Sequence, residues 1–284
     1  MSQSNSTGST RSMHYQRHTR TIRAMHWINV IAFSLLLMSG LQIFNAYPAL
    51  NWGKSSYTGQ APLLQIGALR NSQGQLVGIT WIAGHTFDTT GVLGVSKDAT
   101  GRMSVRAFPT WATVPGAQWL SMARRWHFFF AWLLVINGVA YLLYSLASRH
   151  LSRDLTPTRR DWCGIGQSIK DHLRFRHPSG EASKHYNILQ KLAYLSVIFV
   201  LFPLVVLAGL AMSPGLNAVL PGWIDVFGGR QSARTVHFIA AWALVAFVFV
   251  HVFEVMISGL WNNLRSMITG RYRVTVKETN HAHN

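Results

Sequence analysis

Cysteine is almost missing from this sequence. The single thiol, Cys163, excludes an internal disulfide framework, an iron–sulfur cluster held by this chain alone, and covalent c-type haem attachment through Cys-x-x-Cys-His. Charge is scarce as well. Only 12% of the 284 residues are Asp, Glu, Lys or Arg, about half the ordinary share. Acids are the rarer sign, 9 against 26 bases, so the formal net charge is +17. Such an excess suits either nucleic-acid binding or the basic loops of a membrane protein. The arrangement decides for the membrane, because the charges are kept out of four apolar blocks. A cleavable leader is not expected. Residues 1–23 are polar, and no small-residue cleavage site follows the first block. No internal repeat or long low-complexity tract interrupts the pattern.

A membrane-spanning helix needs about 20 mostly apolar residues. Four blocks qualify: MHWINVIAFSLLLMSGLQIF (25–44), WHFFFAWLLVINGVAYLLYSLA (126–147), LAYLSVIFVLFPLVVLAGLAM (192–212) and TVHFIAAWALVAFVFVHVFEVMIS (235–258). The first three carry no charge and the fourth carries only Glu254. Pro203 is tolerable inside a bilayer helix, where neighbours re-satisfy the freed carbonyl. The expected architecture is an all-α membrane protein, a bundle of four transmembrane helices at 24–44, 126–147, 192–212 and 235–258. The tails 1–23 and 259–284 and the loop 148–191 then share one side, and together they hold 17 of the 26 basic residues. The positive-inside rule places them in the cytoplasm of a bacterial inner membrane, with 45–125 and 213–234 on the periplasmic side. Residues 45–125 are too long for a simple connection. Alternating stretches such as QLVGITWIAG and RMSVRAF predict an outer cap of mixed or β character.

Of the thirteen histidines, His14, His18, His85, His150, His172, His177, His185, His281 and His283 fall in loops, tails or span edges. His26, His127, His237 and His251 fall within spans, where an ionisable side chain is costly and calls for a function. Alternating span direction sorts them by depth: His127 with His237 near the outer side, His26 with His251 near the inner. His237 and His251 are 14 residues apart, close to four helical turns, so they share a helix face roughly 21 Å apart along the axis. That pattern suits two stacked haems, each held axially by imidazoles from two helices. The competing explanation is four unrelated interhelical hydrogen bonds. Gly40 and Gly138 lie on the faces of His26 and His127 but at the opposite depth. There a missing side chain admits a porphyrin or simply allows close helix packing.

These residues resemble the bacterial cytochrome b561 and Ni,Fe-hydrogenase b-type cytochrome family, which includes subunits like those of formate dehydrogenase and thiosulfate reductase. The resemblance rests on RAMHWINVIAFSLLLMSGL, RRWHFFFAW, KHYNILQKLAY and, most specifically, the two-histidine VHFIAAWALVAFVFVHV. It implies two haem b groups, the outer on His127 and His237 and the inner on His26 and His251. It also implies a quinone site near the inner haem, contacted by Asn187, Gln190 and Lys191, although Leu189 stands where that segment usually has glycine. Interfacial anchoring explains the same three residues almost as well. Arg20, Arg23, Arg124 and Arg125 lie within one or two turns of ligand histidines and suit haem propionates or membrane-end anchoring. Glu254, one turn past His251, is a weak candidate for moving quinone protons.

The expected function is a di-haem cytochrome b subunit carrying electrons between a periplasmic oxidoreductase partner, a molybdopterin enzyme or a hydrogenase, and the quinone pool. The alternative is a stand-alone oxidoreductase of the same fold, such as a superoxide:quinone oxidoreductase. A transporter or channel would need more intramembrane acids or broken helices than Glu254 and Pro203 supply.

Overall fold

A computed structural model describes residues 10–55, 59–149, 151–174 and 187–277. In chain order the elements are β1 (Thr10–Gln16), α1 (Arg20–Phe44), β2 (Ala49–Leu50), β3 (Leu64–Arg70), β4 (Leu76–Ile82), β5 (His85–Asp88), β6 (Gly94–Lys97), β7 (Met103–Arg106), α2 (Leu120–Ala147), α3 (Arg159–Cys163), α4 (Ile165–Leu173), α5 (Ile188–Ser196), α6 (Phe202–Ala211), α7 (Pro214–Val219), α8 (Arg230–Ile257), α9 (Leu260–Thr269) and β8 (Arg271–Lys277). Four helices are long and apolar enough to cross a membrane: Arg20–Phe44, Leu120–Ala147, the compound helix Ile188–Ala211 and Arg230–Ile257. Large apolar side chains stand outward on them, Phe129 at 65% and Phe249 at 75% exposure. That inverts the pattern of a water-soluble helix and suits lipid.

All four spans start earlier than their apolar blocks, the third at Ile188. Helix α1 begins at Arg20, where the Thr19 hydroxyl accepts from the backbone N–H of Ile22 at 3.3 Å. Helix α2 begins at Leu120, so Arg124 and Arg125 are helical rather than the end of the preceding segment. Helix α8 begins at Arg230, directly after Gly228 and Gly229 in positive-φ conformations. Hydropathy marks the bilayer-thick part of a helix, whereas caps and glycines set its ends. In the third span, α5 passes through a π-helical turn at Val197–Leu201 into α6, with Pro203 in the first turn of α6. The wider turn absorbs the break that a proline without an N–H imposes.

By its contacts the chain forms two units. One comprises residues 28–140 and 197–245. In it, residues 45–119 carry an antiparallel sheet of order β2-β3-β4-β5 and a β6–β7 hairpin. The stretch QLVGITWIAG contains β4, and RMSVRAF contains β7. Leu41 and Phe44 of α1 form a core with Leu50, Ile66, Ala107 and Phe108; each of the Leu, Ile and Phe side chains contributes about 1.5–3 kcal/mol on burial. Polar stitches join the start of α8 to the stretch after α1. The Ser232 hydroxyl accepts from Gly53 N–H at 2.7 Å, and the Thr235 hydroxyl donates to Asn51 O at 2.7 Å.

The other unit comprises residues 1–27, 141–196 and 246–284. Here the tails pair with each other. Strands β1 and β8 are antiparallel from Thr10↔Lys277 to Gln16↔Arg271, and Tyr15 meets Tyr272 edge-on. Neither strand is foreseen by hydropathy, which shows only two basic tails. The 148–191 loop also gains structure: α3, capped by a reciprocal Thr158–Asp161 box, and α4.

The tightest backbone approach lies in the β region. A Cβ on Gly94, whose φ is +77°, would stand 2.1 Å from Gly67 O and 2.9 Å from Gly78 Cα. Gly94→Ala is therefore expected to cost about 3 kcal/mol or more, read as faster protease cleavage within residues 45–119 in detergent. Cleavage at the wild-type rate would contradict this account of the packing.

Candidate functional site

His127 of α2 and His237 of α8 face each other with ring centroids 6.1 Å apart and planes at 66°. Their Nδ1 atoms are held. The Ser39 hydroxyl donates to Leu35 O at 2.6 Å, so its oxygen accepts from His127 Nδ1–H at 3.1 Å. His237 Nδ1–H donates to Val205 O at 2.8 Å. With Nδ1 carrying the proton, each ring keeps its Nε2 lone pair for another partner. Small residues let the rings sit this close to their neighbours. A Cβ on Gly40 would lie 3.4 Å from His127 Cε1, and one on Gly209 would lie 3.2 Å from His237 Cε1. Gly138, in contrast, meets the Phe202 ring, where a Cβ would come within 2.9 Å; its role is helix packing.

His26 of α1 and His251 of α8 form a second pair, with centroids 6.3 Å apart and planes at 63°. Phe247 stacks on His251 at 5.9 Å and 15°, and the Tyr194 ring meets His251 edge-on at 6.5 Å. Trp27, beside His26, donates its indole N–H to Met267 O at 3.2 Å.

The donor set fits haem. Two imidazoles on opposite sides of one metal, each about 2 Å from it through one nitrogen, have ring centres roughly 6 Å apart, as both pairs do. Among the described residues no three His, Cys, Asp or Glu side chains group to hold a bare ion. Two imidazoles suit a metal whose remaining donors come from a macrocycle.

The remaining predicted residues have other occupations. Arg20 is exposed. Arg23 donates to Ile268 O. Arg124 is exposed, 5.9 Å over the Phe128 ring, and Arg125 is exposed. Asn187 and Gln190 form a reciprocal helix-starting box: Asn187 Oδ1 accepts from Gln190 N–H at 2.9 Å and Gln190 Oε1 from Asn187 N–H at 3.4 Å. Lys191 is 9% exposed and pairs with Asp161 at 2.8 Å. Lys184, His185 and Tyr186 of the KHYNILQK stretch lie outside the described residues. Glu254 is half-buried, and His14 and His85 are exposed on strands. Sequence reading missed Ser39, Val205, Gly209, Tyr194 and Phe247. Pro203 was the available signal for two of them, since it marks where the third span departs from regular helix just before Val205 and Gly209.

The hydrogen bond from the Lys191 ammonium, with those from Thr158, lowers the Asp161 pKa from 3.8 to about 2. A depressed carboxylate pKa stabilises the fold above the unfolded value and loses that contribution as pH falls through the folded one. Asp161→Asn is expected to lower the melting temperature at neutral pH. The difference from wild type should shrink between about pH 4 and pH 2. A gap that persists unchanged at pH 2 would mean that the ion pair is not its cause.

The family model described as prokaryotic cytochrome b561 matches residues 17–270. A relative from Azospira oryzae, named "Putative protein-methionine-sulfoxide reductase subunit YedZ1", is 28% identical over 256 residues, covering 90% of this chain and 97% of its own. No solved structure matches. A match over residues 17–270 makes the chain a member of the prokaryotic cytochrome b561 family, the membrane cytochromes that bind b-type haem and transport electrons.

Proposed function

We propose that the chain is a di-haem membrane subunit carrying electrons between a periplasmic oxidoreductase and the quinone pool. The observation that carries the reading is the doubling of the histidine geometry. His127–His237 would hold one haem and His26–His251 the other, in two pairs of matching separation. Bound there, haem supplies reversible one-electron chemistry that no side chain of this chain provides. The protein contributes placement. Ser39 and Val205 fix the tautomers of the first pair. Phe247 and Tyr194 pack the second pair among aromatic rings.

Basic tails and loops support an orientation with both termini in the cytoplasm of an inner membrane. The β-bearing segment 45–119 then faces the periplasm as the docking surface. The relative named as a reductase subunit supports a reductase partner over a hydrogenase, and a molybdopterin enzyme is the proposed class. The quinone is placed beside His26–His251. Asn187 and Gln190 use their carbonyl oxygens in the helix-starting box, which leaves their amide N–H groups as the donors for a quinone carbonyl.

Detergent-purified protein is expected to hold two haem b per chain by pyridine haemochrome. His237→Ala and His251→Ala should each remove one, and Gly209→Leu, which drives a side chain into the His237 ring, should reduce haem content toward one. No haem in wild type from a haem-competent host would overturn the reading. One haem, lost in both histidine variants, would overturn the two-site scheme.

A further inference from the structure

The charges around the two histidine pairs are unequal, which bears on residues outside the ligand set. Arg106, at the end of β7, is only 5% exposed. Its guanidinium donates to Gly116 O at 2.6 Å, Gln42 Oε1 at 2.8 Å and Thr113 Oγ1 at 3.0 Å. Its Nε is buried with no hydrogen-bond partner. Every acceptor is neutral. Gln42 lies on α1 one turn beyond Ser39, the residue that binds the His127 ring. Arg234 lies one turn before His237 on α8. It donates to Ala49 O at 3.0 Å and to Tyr47 O, and stands over the Phe44 and Tyr47 rings. Its partners are neutral too.

A buried charge without a counter-charge is expensive, and proteins keep one where it acts on something. No carboxylate of this unit serves. Its acids are Asp88, Asp98 and Asp225. The first two lie in turns bonded to Thr90 and Thr100, and the third pairs with Lys54 at 3.1 Å on the surface. Around the second pair the charges are mixed: Arg23 lies one turn before His26, and Glu254 lies one turn after His251.

We infer that Arg106 and Arg234 raise the reduction potential of the haem at His127–His237, making it the higher-potential of the two sites. This rests on the di-haem reading. The sign follows from charge. The oxidised iron centre carries one more positive charge than the reduced one, so a nearby guanidinium disfavours the oxidised form, and a carboxylate such as Glu254 favours it. A unit charge about 10 Å away at an effective dielectric of about 20 changes such an equilibrium roughly tenfold, which is about 59 mV for a one-electron couple. The gradient draws electrons toward the His127–His237 end.

The test is a potentiometric titration of the reduced-minus-oxidised spectrum of detergent-purified holoprotein, with haem content measured first. His237→Ala identifies the component belonging to the first pair. Arg106→Gln, which removes the charge but keeps amide hydrogen bonding, is expected to lower that component's potential by about a tenfold equilibrium shift and leave the other in place. Arg106→Lys should restore most of it. Arg234→Gln gives the same readout should Arg106→Gln fail to fold. Full haem content with neither component moved, or with both moved equally, overturns the inference alone. Absence of haem overturns it together with the reading beneath it.

Discussion

An imidazole placed among hydrocarbon must have both nitrogens satisfied, and much of this structure answers that constraint. Desolvating an unbonded polar group costs several kcal/mol. At the first pair the N–H side is met within the protein: His127 gives its proton to Ser39, and His237 gives its proton to Val205. Ser39 can accept because its own proton goes to Leu35 O. That leaves two acceptor nitrogens on rings 6.1 Å apart, a donor pair that suits a metal held in a macrocycle. The same constraint explains the small residues. A ring bonded to a neighbouring helix must lie against it, so α1 carries Gly40 at the His127 ring and α6 carries Gly209 at the His237 ring. Elsewhere in this unit Asn137 donates to Asn29 at 2.7 Å, one amide answering another across two spans.

Holding a ring to within ångströms requires that its helix not slide. Helix α8 is pinned at its start through Ser232, Arg234 and Thr235, each bonded to the stretch 47–53 that leaves α1. That stretch is held by the core of Leu41, Phe44, Leu50, Ile66 and Phe108. The β region therefore has a mechanical role besides any docking role: it fixes the ends of α1 and α8 near which Ser39 and His237 sit. In the other unit the clamp is different. The β1–β8 ribbon and α9 hold the start of α1, through the bonds of Arg23 and Trp27 to Ile268 and Met267.

The four helices and the pairing of the four histidines were legible because they depend on quantities the sequence carries directly: apolar run length, alternation of direction and a 14-residue spacing. Strand positions such as Leu76–Ile82 coincide with side-chain alternation for the same reason. What was not legible depends on contacts between distant segments. The Ser39 and Val205 bonds need α1 beside α2 and α6 beside α8, which no local pattern states. Gly138 and Gly40 look alike in sequence, yet one meets Phe202 and the other His127. Asn187, Gln190 and Lys191 carry donors fit for a quinone, but the fold uses much of that capacity for a helix start and for the ion pair to Asp161, which lies 30 residues away in sequence. The β1–β8 ribbon joins residues more than 250 apart, and basic tails give no hint that they pair.

The scarcity of acids has a consequence inside the fold. A chain with 9 acids for 26 bases leaves most guanidinium groups without a carboxylate, and Arg106 and Arg234 donate instead to carbonyl, amide and hydroxyl oxygens. Such acceptors take hydrogen bonds from the group without cancelling its charge. The field of the two arginines therefore persists into the low-dielectric layer around His127 and His237, where water screens little. A carboxylate partner would have stabilised the arginines equally well as hydrogen-bond donors and removed that field. Neutral partners thus do two things at once: they tie the β region to the ends of α1 and α8, and they leave a positive potential beside the His127–His237 pair.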